Sequence, residues 1–226
     1  MINTAGGLTG GDQIDWQFTS RENSSLTVTS QACERIYQSS GGVAQIHVNL
    51  RAEKNSTLFW LPQETILFEQ CAVHRKFDVF LEHGSRLLLV EPLIFGRKAM
   101  NEAIMNCQFK EDWRIRNSDG LIHAEAACFS GHVEKQLQHK AVLDGHIAIA
   151  TILLIASNAA TDLEGKLNLA RAIIGDAGGI SLWEVGSTGK LLARIVAKDG
   201  YDLRKCLVPL ITLLIDDAPL PKSWAI

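Results

Sequence analysis

Ile46-His47-Val48-Asn49-Leu50-Arg51-Ala52 alternates apolar with polar side chains along its whole length. Successive side chains of a β-strand point to opposite faces, so this run buries one face and exposes the other. The same period recurs at residues 14–18 and 77–81. The pattern predicts a β-rich body that covers about residues 1–156.

Three turn signals separate these runs. They are His83-Gly84-Ser85, Asp119-Gly120 and Asp144-Gly145. Each offers residues that adopt positive φ, which tight hairpin connections require. We therefore expect hairpin turns at these places.

The pattern becomes helical after residue 156. Thr161-Asp162 offers an N-cap, and the apolar residues that follow recur near helical spacing until Gly175. A hairpin is predicted next, with strands at 180–185 and 191–196 on either side of Gly186-Ser187-Thr188-Gly189.

A second helix is predicted from Tyr201 to Ile215. Pro209 falls inside it, and proline lacks a backbone N–H and clashes with the preceding turn. We therefore expect a kink, or an earlier helix end near Cys206. The predicted fold is mainly β with two α-helices in the C-terminal half, in a single domain over residues 1–226 whose helix-containing part covers about 157–226.

Composition excludes several classes of protein. Lys and Arg total 22 against 25 Asp and Glu, which gives a net charge of −3 and no basic surplus for nucleic acid. The N-terminal residues lack a secretory signal, and the longest apolar run, residues 147–156, is far shorter than the roughly 20 residues of a membrane-spanning helix. We therefore expect a cytoplasmic protein without membrane or nucleic-acid partners. The five scattered cysteines argue against a disulfide framework.

Four glycines cluster at Gly6, Gly7, Gly10 and Gly11, a composition that invites a phosphate-binding interpretation. A P-loop requires Lys and then Ser or Thr after its last glycine, but here an aspartate follows. The dinucleotide fingerprint requires a helix after the glycines, but here a strand-like run follows. The structural alternative is a loop in which glycine supplies positive φ or lets another segment approach closely, with Asp12 capping a turn.

The glycine cluster is the first of four stretches that occur in a fixed order. They are Thr4-Ala5-Gly6-Gly7-Leu8-Thr9-Gly10-Gly11-Asp12; Thr29-Ser30-Gln31-Ala32-Cys33-Glu34-Arg35-Ile36-Tyr37; Trp60-Leu61-Pro62-Gln63-Glu64-Thr65-Ile66-Leu67-Phe68; and Leu87-Leu88-Leu89-Val90-Glu91-Pro92-Leu93 with Gly96-Arg97-Lys98-Ala99-Met100. In this order they resemble the UreD (UreH) family of urease accessory proteins. Members of that family carry a few tens of residues before the glycine stretch, so the resemblance implies a chain with a short N-terminus, truncated or begun at an internal methionine.

The resemblance implies a β-helix-like fold of stacked strands and a non-catalytic role as a scaffold. Proteins of this family bind UreF, the GTPase UreG through UreF, and the urease apoprotein, and the assembly inserts nickel into urease. The resemblance also implies that Ni²⁺ passes transiently through an internal tunnel with polar walls, and that no cofactor is tightly bound.

A nickel path needs weak oxygen ligands, because a tight site would retain the ion. The similar stretches supply three candidate metal ligands, Asp12, Glu64 and Glu91, and two candidate tunnel-lining hydroxyls, Thr29 and Ser30.

Two of these carboxylates, Glu64 and Glu91, lie among apolar residues, where an unpaired carboxylate is costly. Each therefore needs either a cationic partner, such as Arg35 or Arg97, or a polar channel.

Two other functions stay open at this point. In the first, Asp12, Glu64 and Glu91 form the acid/base group of an enzyme of unknown substrate, as paired carboxylates do in glycoside hydrolases. In the second, the chain is a β-rich interaction module without metal handling. The sequence contains neither a His-Glu-x-x-His zinc motif nor a Gly-x-Ser-x-Gly elbow.

Overall fold

Strands that stack on one another in successive turns of the chain make up most of the fold. The computed structural model describes residues 1–97, 102–156, 163–216 and 218–225. The strands are, in chain order, β1 (Gln13–Ser20), β2 (Ser25–Val28), β3 (Glu34–Ile36), β4 (Ala44–Ala52), β5 (Thr57–Trp60), β6 (Thr65–Leu67), β7 (Ala72–Leu81), β8 (Arg86–Phe95), β9 (Asn106–Asn117), β10 (Gly120–His132), β11 (Ala148–Ala156), β12 (Gly178–Val185) and β13 (Thr188–Ala197). The helices are α1 (Val133–Leu137), α2 (Leu163–Ile174) and α3 (Gly200–Leu214), with 3₁₀ turns at Gly175–Ala177 and Lys222–Trp224. Within the described ranges, every helix is too short or too polar to cross a lipid bilayer.

The stacking produces two sheets. In the first, β1, β4, β7 and β9 run parallel, and β10 closes the row antiparallel to β9. In the second, β2, β5 and β8 form one parallel ladder, while β3 and β6 stack on the later part of β8. β11, β13 and β12 extend this sheet with antiparallel pairs. The prediction of a mainly β fold with stacked, β-helix-like strands is confirmed.

The alternation of side chains decides which residues enter the space between the sheets. Trp16, Val48, Phe77 and Trp113 occupy matching register positions on four neighbouring strands and pack in one row. Edge-to-face contact between the Phe77 and Trp113 rings, with centroids 5.7 Å apart, adds to their burial. This row is the centre of the first core layer.

A second core layer lies between the eight-stranded sheet and the helices α2 and α3. Leu207 and Ile211 of α3 pack there with Leu154 of β11, whereas Leu153 of the same strand packs in the first layer. β11 is therefore covered on both faces, which explains why it is the longest apolar run in the sequence.

The three predicted turns have different outcomes. A hairpin joins β9 to β10, and Gly120 at its end has a φ of 131°. The turn at His83-Gly84-Ser85 has the expected positive φ at Gly84, but it joins strands of different sheets, so the hairpin predicted there is wrong. Asp144-Gly145 lies in the turns between α1 and β11 and is likewise not a hairpin. Corners of a solenoid need the same positive φ as hairpins do, so the sequence signal does not distinguish them.

The predicted C-terminal hairpin is present. β12 and β13 are joined by Gly186-Ser187, and Val185 pairs with Thr188 across the turn. The two strands continue the sheet of the β-rich body into the part predicted to carry the helices. The number of domains stays a prediction.

Both predicted helices are also present, and α1 adds a short third one. The predicted N-cap of α2, Thr161-Asp162, lies outside the described residues. α3 continues past Pro209 to Leu214, so the predicted end near Cys206 is wrong. Pro209 is exposed, and so is Lys205, whose carbonyl would accept the missing hydrogen bond. The lost hydrogen bond therefore lies on the exposed side of α3, and the buried side, with Leu207, Leu210 and Ile211, stays intact.

Candidate functional site

An arginine and two glutamates lie in the first core layer, between the two sheets. Arg75 of β7 pairs in register with Ile46 of β4 on one side and with Glu111 of β9 on the other. Arg75, Glu111 and Glu91 of β8 are all buried. Charged groups in such a place need partners, because their transfer from water is costly.

The partners are arranged around the Arg75 guanidinium. Its Nη2 lies 2.8 Å from Glu91 Oε2, and its Nε donates to Glu111 Oε2 at 2.5 Å. Its Nη1 donates to Thr65 Oγ1 at 2.9 Å. The indole Nε1 of Trp60 donates to the other Glu91 oxygen at 2.6 Å. We call these five residues the central cluster.

One guanidinium does not neutralise two carboxylates, and this imbalance affects their protonation. Burial raises the pKa of Glu91 to about 7, with Arg75 opposing the shift and Glu111 adding to it. Burial also raises the pKa of Glu111, against the pull of Arg75. Glu91 Oε2 lies within ion-pair distance of Arg75 but makes no aligned hydrogen bond. This oxygen is thus a buried acceptor with capacity to spare.

Two cavities have the central cluster in their walls. The smaller has a volume of about 210 Å³ and the larger about 750 Å³, and Arg75 and Glu91 line both. The wall of the smaller one includes the exposed residues Gln31 and Ala32, so it reaches the surface. The larger one reaches the surface beside the exposed His139.

The cavity walls carry further polar side chains. The smaller cavity is lined by Ser30, Cys33, Glu34, Gln63 and Thr65. The larger one is lined by Glu111, Glu125, Lys135, His139 and Arg194. Both cavities therefore have oxygen-bearing side chains in their walls in addition to Glu91, which they share.

Two of the five predicted site residues line these cavities. Glu91 lies in the walls of both cavities, and Ser30 lies in the wall of the smaller one. The Ser30 hydroxyl donates to the Ala32 carbonyl and accepts from the Gln63 backbone N–H at 2.8 Å. Thr29 is in neither wall, and its hydroxyl contacts that of Ser223 at 3.1 Å.

Asp12 caps a turn in the glycine loop and lines neither cavity. Its Oδ2 accepts from the Thr9 backbone N–H at 2.8 Å. A Cβ at Gly10 would lie 2.4 Å from the Gly41 carbonyl oxygen, and one at Gly7 would lie 2.4 Å from the Tyr37 ring. The cluster of glycines therefore lets the loop pack closely against residues 35–42, as the structural alternative requires.

Glu64 is held in an ion pair on the side of α3. Arg204 donates to it from Nε at 2.6 Å and from Nη2 at 2.8 Å, and the Cys33 thiol donates at 3.3 Å. Burial acts to raise the pKa of Glu64, but the Arg204 hydrogen bonds outweigh it and the pKa is lowered. Burial and the nearby Glu64 charge raise the pKa of Cys33 to about 11.

The prediction that Arg35 or Arg97 pairs with these carboxylates is therefore wrong. Arg35 is exposed, and Arg97 pairs with Glu102 at 2.8 Å. Arg204 pairs with Glu64 instead, and Arg75 pairs with Glu91. Helix packing and strand register bring these side chains together, not proximity in the sequence.

The acid/base alternative is also not supported. It requires Asp12, Glu64 and Glu91 to share a cleft, yet of these three Glu91 alone lines the two cavities described above. In the described part of the chain, no three or more His, Cys, Asp or Glu residues are grouped so as to hold a metal ion.

Sequence reasoning missed Arg75, Glu111 and Glu125. A signal for two of them was present, because Arg75 is in phase with the inward Phe77, and Glu111 is in phase with the inward Trp113. A charged residue at an inward position of a period-two run is the mark of a buried ion pair or a polar site.

Comparison with known proteins assigns the chain to a family. The UreD urease accessory protein family matches residues 1–225. This chain belongs to the UreD family. Proteins named urease accessory protein UreD include one from Brucella suis, 47% identical over all of this chain and 80% of that protein, and one from Agrobacterium fabrum, 43% identical over 99% of this chain and 76% of that protein. A relative from Brucella anthropi, named urease accessory protein UreD 1, is 49% identical over 99% of this chain and 79% of that protein.

UreD membership confirms the resemblance found in the four sequence stretches. The family is one of accessory proteins, so the prediction that this chain is not an enzyme is confirmed. The third and fourth UreD-like stretches contain Glu64 and Glu91, one beside α3 and the other in the central cluster. Lys98, Ala99 and Met100 of the fourth stretch lie outside the described residues.

Proposed function

We propose that this chain is the scaffold on which nickel is inserted into urease, and that Ni²⁺ passes through it by way of the two cavities. In this proposal it works in the cytoplasm and binds UreF, the GTPase UreG through UreF, and the urease apoprotein. Ni²⁺ is a cargo that passes through, and no cofactor is tightly bound.

The observation that carries the proposal is the position of Glu91. Its carboxylate belongs to the walls of both cavities, and its Oε2 is buried without a hydrogen bond. A buried acceptor of this kind is suited to receive a cation from one cavity and release it to the other. Carboxylate and hydroxyl oxygens bind Ni²⁺ less firmly than imidazole or thiolate, which favours transfer over storage.

The other oxygen ligands along the proposed path follow from the cavity walls. Ser30 and Thr65 precede Glu91 on the side of the smaller cavity, and Glu111 and Glu125 follow on the side of the larger one. Of the predicted ligands, Asp12 and Glu64 lie off this path and have local structural partners.

The test is to replace Glu91 by Gln, which keeps the size of the side chain and removes its charge. We expect this variant to retain UreF and urease in co-purification but to reduce the nickel content and urea hydrolysis of urease to well below half. Nickel per urease is measured by atomic emission after activation in cells that contain the complete set of accessory proteins.

The matched control is Glu64→Gln, which changes a carboxylate that is also buried and paired with an arginine but lies outside both cavities. We expect urease activated with folded Glu64→Gln protein to contain as much nickel as urease activated with the wild type. A normal nickel content of urease activated with Glu91→Gln would overturn the proposed nickel path. The remaining function would then be that of an interaction module without metal handling.

A further inference from the structure

The geometry points to Arg75 as a gate in the proposed passage: its guanidinium occupies the place of a travelling cation, and a divalent cation passes only by displacing it from Glu91 and Glu111. The inference rests on the passage proposed above and adds a control point to it.

The first reason is the location of Arg75. It is buried in the layer between the sheets and belongs to the walls of both cavities. Its guanidinium contacts Glu91, Glu111 and Thr65 at distances of 2.8, 2.5 and 2.9 Å. A cation that moves from one cavity to the other meets these three side chains, and the guanidinium already holds them.

The second reason is charge. A positive guanidinium repels Ni²⁺ strongly where little water is present to screen the two charges. When both carboxylates are ionised, the guanidinium balances only one of them, whereas a divalent cation balances both. Exchange of one cation for the other therefore leaves the carboxylates better neutralised.

The third reason is that the contacts allow exchange. Glu91 Oε2 has no hydrogen bond to lose, and Trp60 continues to hold Oε1 at 2.6 Å. The larger cavity, at about 750 Å³, has room for a displaced arginine side chain. Glu125 in its wall already accepts a hydrogen bond from Arg194 at 2.6 Å, and a displaced guanidinium would share this carboxylate with Arg194. Arg75 can thus move away from Glu91 and Glu111 into a cavity whose wall carries polar as well as apolar side chains.

The experiment measures Ni²⁺ binding by the purified full chain, with nickel sulfate in equilibrium dialysis. Arg75→Met removes the charge and keeps an unbranched side chain. Because it exposes both carboxylates to the ion, we expect it to bind Ni²⁺ at least about tenfold more tightly than the wild type. Adding Glu91→Gln and Glu111→Gln to this variant should abolish the gain, which separates the site from histidines on the surface.

Arg204→Met is the matched control, because it removes another arginine from a buried glutamate that lines neither cavity. We expect wild-type Ni²⁺ affinity for it. Equal affinities of Arg75→Met and the wild type would overturn the gate. If Arg75→Met does not fold, as judged by circular dichroism, the neutral and polar Arg75→Gln decides: tighter binding than the wild type supports the gate, and unchanged binding overturns it.

This measurement needs no urease and is therefore independent of the loading assay. Normal loading by Glu91→Gln would overturn the passage, whereas unchanged affinity in Arg75→Met would overturn the gate alone.

Discussion

At the scale of single residues, the molecule places several ionisable groups inside an apolar layer. Arg75 pairs with Glu91 at 2.8 Å and with Glu111 at 2.5 Å, whereas His123 of β10 has no ion pair this short among the described residues. Its Nε2 is buried without a hydrogen bond, and the nearest carboxylate oxygen, of Glu125, is 3.9 Å away. A buried imidazole of this kind resists protonation.

We expect His123 to make the protein less stable in mild acid. Burial, together with the charges of Lys190 and Arg194, lowers its pKa from 6.5 to about 4. Between these values the unfolded chain binds a proton that the folded chain does not, so the free energy of unfolding falls as pH falls from 6.5 towards 4. Urea unfolding across this range should show a smaller pH slope for His123→Gln than for the wild type. The exposed His83→Gln is the control, and an unchanged slope in His123→Gln would contradict the prediction.

At the scale of elements, α3 is fastened to the stacked strands by its polar side as well as by its apolar face. Arg204 donates two hydrogen bonds to Glu64 and one to the Gln63 side chain. Its guanidinium also lies over the Trp224 ring, 5.4 Å from the ring centroid. The indole Nε1 of Trp224 donates to the Leu61 carbonyl at 2.9 Å. The segment from Leu61 to Glu64 therefore joins α3 to the wall of the smaller cavity.

We expect Glu64→Ala to reduce the free energy of unfolding by about 2 kcal/mol, because it leaves a largely buried guanidinium without its carboxylate. Urea unfolding gives this value. In the double variant with Arg204→Met the loss should be smaller than the sum of the single losses, since the two side chains share one interaction.

The surface pair of Arg21 and Glu53 provides the comparison for this prediction, because the Arg21 side chain is 79% exposed. We expect Arg21→Met to change stability by well under 1 kcal/mol. A Glu64→Ala variant no less stable than Arg21→Met would show that the hydrogen bonds between Arg204 and Glu64 do not stabilise the packing of α3.

At the scale of the whole molecule, the eight-stranded sheet separates the two core layers. β8 and β11 pair with each other in the middle of the eight-stranded sheet, and both faces of β11 are buried. Among the described residues, β12 is an edge strand whose one partner is β13. Local stability should therefore decrease from the centre of this sheet to its edge.

We expect amide hydrogen exchange to be slowest in β11 and clearly faster in β12. Exchange of β11 amides requires both core layers to open, whereas β12 opens from an edge. Mass spectrometry of peptides from the two strands measures the difference. Equal rates would mean that the helical layer opens together with the whole sheet.

The sequence by itself determined the strands, the two longer helices and the family. Period-two alternation locates β1, β4 and β7, because the alternation depends only on the local geometry of a strand. It also named Glu91 and Ser30, which lie in stretches that resemble UreD. It did not separate solenoid corners from hairpins, because both need positive φ. It did not decide whether the helix ends before Pro209 or continues past it, because the cost of proline in a helix depends on whether the lost hydrogen bond is exposed.

Only the tertiary structure decided how the charges are paired. Arg75 lies 16 positions before Glu91 and 36 before Glu111, and stacking of the strands brings the three together. Arg204 reaches Glu64 across 140 positions of sequence because α3 packs on the outer face of the sheet. Residues so far apart meet through strand register and helix packing, which depend on the whole chain. For this reason Asp12, which the sequence offers as an equal of Glu91, lies beside a turn, and Glu64 lies beside a helix. Glu91 alone of the three lies in the walls of both cavities.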